Sequence, residues 1–186
     1  MAKKGIRYAV FATRTEAESN GTVTVTYSGG KVLSPVAGYN GSMNKTDAKD
    51  YGDDHVVDTD KTVTGGTLAV ELNEDNDDIY TMLLGHTKDT EGKIIYNADD
   101  EAPYVGSGAI GKSGSKWVAK FYKKVKFAEP NDENSTKQES TTFGHVNLSG
   151  DIIIPEDGEW KLRETFDTLD AAKTWLNTLV GITTTP

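Results

Sequence analysis

Residues 106–113 read GSGAIGKS and match a phosphate-binding loop, in which four free positions separate a glycine from Gly-Lys-Ser. Such a loop holds nucleotide phosphates with backbone amides and the lysine, after a buried strand and at the start of a helix. Neither element is predicted here, because residues 99–103 are acidic and end in proline, and a strand pattern follows Gly114-Ser115. We therefore predict a strand at residues 104–110 and a turn at residues 112–115.

A basic run, KFYKKVKF, occupies residues 120–127 just after this segment. Alternation along residues 116–128 predicts one long strand, half-buried on its apolar face. That face comprises Trp117, Ala119, Phe121, Val125 and Phe127, interrupted by Lys123. Lysines on the other face are typical of strands protected from mispairing. A phosphate-binding groove is the alternative, although the net charge of −9 opposes contact with a polyanion.

Aspartates cluster at residues 47–60 and 75–78 and suggest a calcium site. The second cluster lacks the central glycine and distant glutamate of the helix–loop–helix calcium motif. The first could hold a hard cation weakly, and a solvated loop is the alternative. His55, His86 and His145 lack metal-ligand spacing. No metal or other cofactor is therefore predicted.

The composition favours one soluble β-rich domain. The chain has 186 residues, 35% of them hydrophobic, enough for one sizeable core. Short runs of Thr, Val and Ile with 19 glycines favour strands joined by many turns. The absence of cysteine excludes disulfides, and no apolar stretch is long enough for a signal or a membrane span. The acidic balance disfavours tight binding to nucleic acids.

Hydrophobic periodicity locates the elements that would position these residues. Strands are predicted at residues 6–13, 22–27, 31–37, 64–72, 104–110, 116–128, 141–148, 151–154 and 159–165. A short helix is predicted at about residues 74–84, between an Asn73 cap and Gly85, and a C-terminal helix at residues 169–180, between Thr168 and Gly181. The polar stretch at residues 39–60 is predicted to be a long loop. We expect a single domain over residues 1–186, a β-sandwich or barrel of about eight strands with these two helices.

The order of these elements resembles the major tail (tail tube) proteins of phages with long non-contractile tails. The resemblance spans most of the chain. It is carried by YGDD at 51–54, TMLLGH at 81–86, PYVGSGAIGKSGSKWVAKFYKKVKF at 103–127 and NLSGDIIIPEDGEWKLRETFDTLDAAKTWL at 147–176.

The resemblance implies a structural virion protein without catalysis or cofactor, made in the host cytoplasm. Its copies would form hexameric rings that stack into a tube, with tape measure and tail terminator proteins as further partners. The 39–60 loop would reach neighbouring subunits, and DNA would pass without specific binding or membrane contact. Because an acidic lining repels DNA, the candidates for the lumen or the subunit interfaces are Asp47, Asp50, Asp53, Asp54, Asp58, Asp60, Asp75, Asp77 and Asp78.

Two other functions remain open on the sequence. A monomeric β-sandwich binding or adhesion module, for carbohydrate or a surface, would expose Trp117 or Trp160 in a groove, whereas burial in the core is the ordinary place for both. A nucleotide-using enzyme would depend on Lys112.

Overall fold

The computed structural model describes residues 3–33, 35–53, 55–131 and 145–183, and the protein is mainly β. The strands are β1 (Lys3–Ser19), β2 (Thr22–Val32), β3 (Val36–Lys45), β4 (Ala48–Gly52), β5 (His55–Asp60), β6 (Val63–Leu72), β7 (Thr87–Lys88), β8 (Ile94–Ile95), β9 (Val105–Ser113), β10 (Lys116–Ala128), β11 (Val146–Ile152) and β12 (Lys161–Phe166). A π-helical turn spans Ile79–Leu83, and the helix α1 spans Leu169–Val180. The predicted fold class is confirmed.

Eight strands form one antiparallel sheet, in the order β2-β1-β9-β10-β11-β6-β3, with β12 beside β10. The half made of β11, β6 and β3 lies over the half made of β1, β9 and β10. The Tyr39 hydroxyl of β3 spans the two halves by donating to Ser107 Oγ of β9 at 3.0 Å. The result is a β-sandwich, in which β4–β5 and β7–β8 form two small separate sheets.

The central strands β1, β9 and β10 bury side chains on both of their faces. The inner face packs against the other half of the sandwich, with Phe11, Leu68, Val70 and Leu148 in its core. The outer face packs under α1. The residues buried between this face and α1 are Val10, Ala12, Ile110, Ala119, Phe121, Ala172, Leu176 and Val180. The helix is therefore a structural cover of the central sheet.

Strand β10 changes face at Lys123. Its register with β9 slips between Tyr122 and Val125, which is the mark of a β-bulge with one extra residue. Phe121 packs under α1, whereas Val125 and Phe127 join Tyr122 in the sandwich core. The prediction of one apolar face along this strand was therefore wrong, because it assumed unbroken alternation.

The polar stretch at residues 39–60 is not a loop. Residues 39–45 belong to β3, which pairs with β6 from Val36 opposite Leu72 to Lys45 opposite Val63. β4 and β5 pair with each other in a hairpin. The prediction failed because backbone hydrogen bonds hold an edge strand and a hairpin together even where the side chains are polar and exposed.

The helix predicted at residues 74–84 is shorter in the structure: residues 77–83 are helical, the last five as the π-helical turn, whereas residues 74–76 are irregular. Its start is set by Asn76, whose side-chain oxygen accepts the Asp78 amide at 2.9 Å, and not by Asn73. The predicted stop is confirmed, since Gly85 has a φ of 82°. The acidic residues at 74–78 favour a turn over a longer helix because their side chains compete for the local backbone amides.

The C-terminal helix is confirmed with its predicted bounds. Thr168 caps it, since its side-chain oxygen accepts the Ala171 amide at 3.2 Å. Gly181 ends it with a φ of 70°. This helix was predictable because its caps and its apolar stripe agree with each other.

Two other strand predictions were wrong. The predicted strand at 31–37 is divided between β2 and β3, because β2 continues through a bulge at residues 29–30 and ends at Val32. A Cβ on Gly30 would lie 2.2 Å from the Val180 carbonyl oxygen, so this bulge makes room for the end of α1. The strands predicted at 141–148 and 151–154 are one strand, β11, that passes through Gly150; residues 141–144 lie outside the described residues.

Candidate functional site

The glycine-rich segment is a strand, as predicted. Residues 106–113 lie in β9 between β1 and β10, and Lys112 and Ser113 end that strand where a phosphate-binding loop would begin a helix. The turn to β10 consists of Gly114 and Ser115, with a Gly114 φ of 63°, so it is shorter than the predicted turn at 112–115. The segment therefore lacks the strand–loop–helix geometry that holds a nucleotide phosphate.

The first glycines of this segment are packing positions. A Cβ on Gly106 would lie 2.5 Å from both Phe121 Cζ and Tyr27 Cε1. A Cβ on Gly108 would lie 2.7 Å from Leu176 Cδ2 of α1. Close approach of rings and helix to the sheet therefore explains why glycine occupies both positions.

The lysines of the basic run divide into two groups. Lys123, Lys124 and Lys126 form ion pairs with carboxylates of the same chain, respectively with Asp157 and Glu159, with Glu16, and with Glu101. Such surface pairs contribute little to stability but compensate the positive charge of the run. Lys120 lies instead on the inner face of the sheet, in a groove.

This groove, called here the basic groove, has a volume of about 710 Å³ and opens where β3 leaves β9, β10 and β12 uncovered. Its cationic lining residues are Lys112, Lys120, Lys161 and Arg163. Among the described residues that line it, none is a carboxylate. Positive charge is thus concentrated locally on a chain whose net charge is −9, an arrangement that attracts anions.

Strand register places these cations side by side. Lys120 of β10 lies directly opposite Arg163 of β12, and Tyr122 lies directly opposite Lys161. Residues in such pairs have Cβ atoms about 5 Å apart, and like charges there destabilise a sheet. The register thus brings Lys120 and Arg163 into one cross-strand pair.

Aromatic rings support two of the groove cations. Lys161 Nζ lies 5.1 Å from the centre of the Tyr122 ring and 5.5 Å from that of Trp160. Lys112 Nζ lies 5.3 Å from the centre of the Trp117 ring, which packs with the cluster under α1, so this ammonium lies on the outer face of the sheet. Burial raises the pKa of Tyr122, which therefore stays neutral. Cation–π contacts of this kind hold the side chains in place.

Most of the first group of predicted aspartates lies on or beside the β4–β5 hairpin. The carboxylates of Asp47, Asp53, Asp58 and Asp60 are exposed, whereas Asp54 and the Asp50 side chain lie outside the described part of the chain. Asp60 accepts hydrogen bonds from the Thr62 hydroxyl and amide at 2.6 and 3.0 Å, and these bonds lower the pKa of its carboxyl. The hairpin therefore exposes negative charge to solvent.

The second group lies elsewhere, beside the π-helical turn. Asp77 pairs with Lys88 at 2.5 Å and Asp78 with Lys31 at 2.9 Å, while Asp75 is exposed. The two groups flank opposite ends of β6, whose 10 residues span about 33 Å in an extended strand. The aspartates predicted to act together thus form two separate surfaces.

Lys161 and Arg163 were not predicted to be site residues. The available signal was their spacing of two residues, which places both on one face of a strand. Nothing in the sequence indicates that these two residues lie on the same face of the sheet as Lys120. That arrangement depends on the antiparallel pairing of β10 with β12, which are about forty residues apart in the chain.

His86 contacts two carboxylates outside the groove. Its Nδ1 lies 2.7 Å from Asp100 Oδ2 and its Nε2 lies 2.9 Å from Glu129 Oε2. The Tyr96 ring lies 4.3 Å away, and the His86 side chain is 8% exposed. Burial lowers the pKa of His86, but the two carboxylates outweigh it and raise that pKa above its ordinary value. When protonated, His86 therefore links the segment before β9 to the end of β10.

The free energy of unfolding is expected to fall as the pH rises from about 6 to about 8. The His86 pKa is raised in the folded protein, so its contribution is present below the ordinary value of 6.5 and is lost as pH rises through the folded value. Urea unfolding at both pH values should show a smaller fall in His86→Gln, while the exposed His145→Gln control keeps the wild-type fall. An unchanged fall in His86→Gln would contradict the role of this contact.

Comparison with known proteins yields no family: no protein-family model matches the chain, and no curated protein matches it. Within the described residues, no helix is long and apolar enough to cross a membrane. The same part of the chain contains no group of three His, Asp or Glu side chains that could hold a metal ion. Function is therefore inferred from the hairpin and the basic groove themselves.

Proposed function

We propose that the protein is a structural subunit that self-assembles into the tail tube of a phage. The observation that carries this proposal is the β4–β5 hairpin, which forms a two-stranded sheet apart from the main sheet and exposes its described aspartates. A two-stranded hairpin is marginally stable in water without a surface to pack on. A second copy of the chain supplies such a surface, and repetition of the contact builds a ring.

The fold supports this proposal. A β-sandwich with a C-terminal helix packed on it is the subunit that the resemblance to tail tube proteins implies. Hexameric rings of such subunits stack into a tube, which ends in contacts with tape measure and terminator proteins of the virion. The hairpin takes the part assigned to the 39–60 loop, the contact with neighbouring subunits.

The charge of the chain suits a conduit for DNA. The net charge is −9, and the basic run is largely compensated by ion pairs with its own carboxylates. Each phosphate bound by a cation would slow the passage of DNA, whereas an acidic wall repels it. The exposed aspartates therefore belong at the lumen or at subunit interfaces, where they keep DNA from binding.

A monomeric binding module is the second candidate, and one observation favours it. The Tyr122 and Trp160 rings stack with centres 6.3 Å apart at the side of the basic groove. Tyr122 is buried, but the partly exposed Trp160 ring beside Lys161 could receive an anionic carbohydrate. Binding of such a glycan by a monomer, in an array of charged and neutral glycans, would favour this candidate over the tube.

Sedimentation of the full chain over a wide concentration range tests the proposal. We expect the monomer to give way to one discrete ring-sized species and then to larger stacked species as the concentration rises. A monomer that persists at every concentration would contradict self-assembly. The loss of ordered assembly at high salt would show that charged contacts contribute to it.

A further inference from the structure

We propose that residues 86–101, called here the His86 loop, are latched to the end of β10 by protonated His86 and released from it when His86 loses a proton. The loop leaves the π-helical turn after Gly85 and returns to β9 after Glu101. Its neck is narrow, since a Cβ on Gly85 would lie 2.4 Å from the Glu101 carbonyl oxygen. A surface loop whose ends meet in this way often carries function. The latch does not depend on the proposed tube.

Two large hydrophobic side chains of the His86 loop face solvent. Ile95 is 39% exposed and Tyr96 is 55% exposed. The Tyr96 ring reaches back to the base of the loop, where its centre lies 4.3 Å from the His86 ring and 6.0 Å from the Tyr80 ring of the π-helical turn. The position of the loop therefore sets how much of the Tyr96 ring is presented to other molecules.

The His86 side chain makes two contacts, and each of them needs a proton on the ring. Nδ1 donates to Asp100 of the loop itself, whereas Nε2 donates to Glu129, the residue that follows β10. An ionised carboxylate can only accept hydrogen bonds, and a neutral imidazole has a single N–H. Loss of one proton therefore leaves a nitrogen lone pair facing a carboxylate, so one of the two contacts opens.

The contact with Glu129 is the one that opens. The Asp100 side chain is 14% exposed, and its Oδ2 also accepts the Asn97 amide at 3.0 Å, so this carboxylate is held in place beside the ring. The Glu129 side chain is 51% exposed and can turn its carboxylate to water. Neutral His86 therefore keeps its proton on Nδ1, which preserves the bond inside the loop and releases the loop from β10.

The other charged groups at the loop do not replace this contact. Glu101 pairs with Lys126 of β10 at 2.7 Å, and Lys88 pairs with Asp77 at 2.5 Å. The carboxylates of these two pairs are 82% and 54% exposed, and pairs so open to water contribute little. His86 is 8% exposed, so its contact with β10 is the better shielded one.

The direction of the switch follows from the groups that face the imidazole. Burial lowers the pKa of His86, but hydrogen bonds to Asp100 and Glu129 outweigh burial and raise that pKa above its ordinary value of 6.5. The latch is therefore closed below the ordinary value and opens as the pH rises through the folded value. The neck stays in place, because the His86 amide donates to the Tyr80 carbonyl oxygen at 2.9 Å in either state of the ring.

Amide hydrogen exchange of the full-length protein, followed by mass spectrometry, measures the opening of the loop. Exchange is compared at pH values of about 5.5 and about 8, on either side of the histidine range, and each rate is divided by that of an unstructured peptide of the same sequence. We expect protection of the amides at residues 87–100 to fall severalfold at the higher pH. Protection in β9 and β10 should change much less, because the opening is local.

Substitutions of Glu129 separate the latch from a general effect of pH. Glu129→Gln should keep the loop protected at both pH values, because its amide can accept from protonated Nε2 and can donate to the lone pair of neutral Nε2. Glu129→Ala should leave the loop open at both. Glu91→Gln, the same change at an exposed position of the loop, is the matched control and should keep the pH dependence of the wild type.

The ring nitrogens of His86 report the same switch directly by NMR. Above the titration we expect the proton on Nδ1 and none on Nε2. A proton on Nε2 would place the break at Asp100 and overturn the release from β10. Equal protection of the wild-type loop at both pH values would overturn the latch, and so would a loss of protection shared equally by the loop, β9 and β10.

Discussion

Gly108→Ala is expected to lower the free energy of unfolding by about 1–3 kcal/mol, the usual effect of inserting an atom into a packed site. The new Cβ would lie 2.7 Å from Leu176 Cδ2 and 2.9 Å from the Lys120 carbonyl oxygen, and that oxygen belongs to the backbone of the neighbouring strand. Gly106→Ala should have a similar effect, since its Cβ would lie 2.5 Å from two aromatic rings. Urea unfolding followed by circular dichroism measures both effects.

Gly111→Ala is the matched control from the same glycine pattern. Its Cβ would meet the Gly5 carbonyl oxygen at 3.8 Å, an ordinary van der Waals contact, so we expect a change within about 0.5 kcal/mol. A phosphate-binding loop would give another pattern, because it requires Gly106 and Gly111 and leaves position 108 free. Greater sensitivity at Gly111 than at Gly108 would contradict the packing role of these glycines.

Leu176→Ala is expected to destabilise the protein by about 2–5 kcal/mol, the range for removing a fully buried leucine side chain. Leu176 is 0% exposed and packs between α1 and the outer face of the central sheet. Removal of this side chain leaves Phe121 and Ile110 with fewer packing contacts to α1. Thermal and urea unfolding of the purified variant measure the effect.

Leu179→Ala is the control for this substitution, since it makes the same change on the same helix at a partly buried position. We expect a clearly smaller loss of stability, because less apolar surface leaves water when Leu179 packs. If the two variants lost equal stability, the helix would not pack on the sheet through Leu176. A folded Leu176→Ala protein with wild-type stability would contradict the structural role of α1.

Local signals in the sequence predict the elements whose stabilising contacts are local. The bounds of α1 follow from Thr168, Gly181 and an apolar stripe of helical period, and β6 is 1 residue longer than predicted. The bulge in β10 had one local sign, Lys123 at an otherwise apolar position, but alternation resumes after it in the sequence. The change of face depends on pairing with β9, β11 and β12, which no local pattern records.

The β1–β2 hairpin has a local signal in the sequence that the β3–β5 region lacks. Asn20 and Gly21 have φ values of 51° and 73° and join β1 to β2, and such an Asn-Gly pair is a strong hairpin signal. The 39–60 stretch offered no comparable signal, because its strands are held by backbone pairing and not by buried apolar side chains. Polar composition was therefore a poor guide to the absence of strands.

The candidate site was predictable in its acidic part and not in its basic part. The aspartates at 47–60 are conspicuous in the sequence, and those described by the structure are exposed on or beside one hairpin. The basic groove combines Lys112 from β9, Lys120 from β10 and two cations from β12. These residues meet because the sheet pairs distant strands in register, so their proximity is a property of the topology.

Electron microscopy of the concentrated full-length protein tests self-assembly most directly. We expect rings, and stacks of rings, with one uniform bore. A variant in which Asp47 and Asp58 are replaced by lysine is the matched comparison, and it should stay folded by circular dichroism but form few rings, because its hairpin no longer carries net negative charge. Separate globular particles in the wild-type protein, at every concentration and salt condition, would contradict the account.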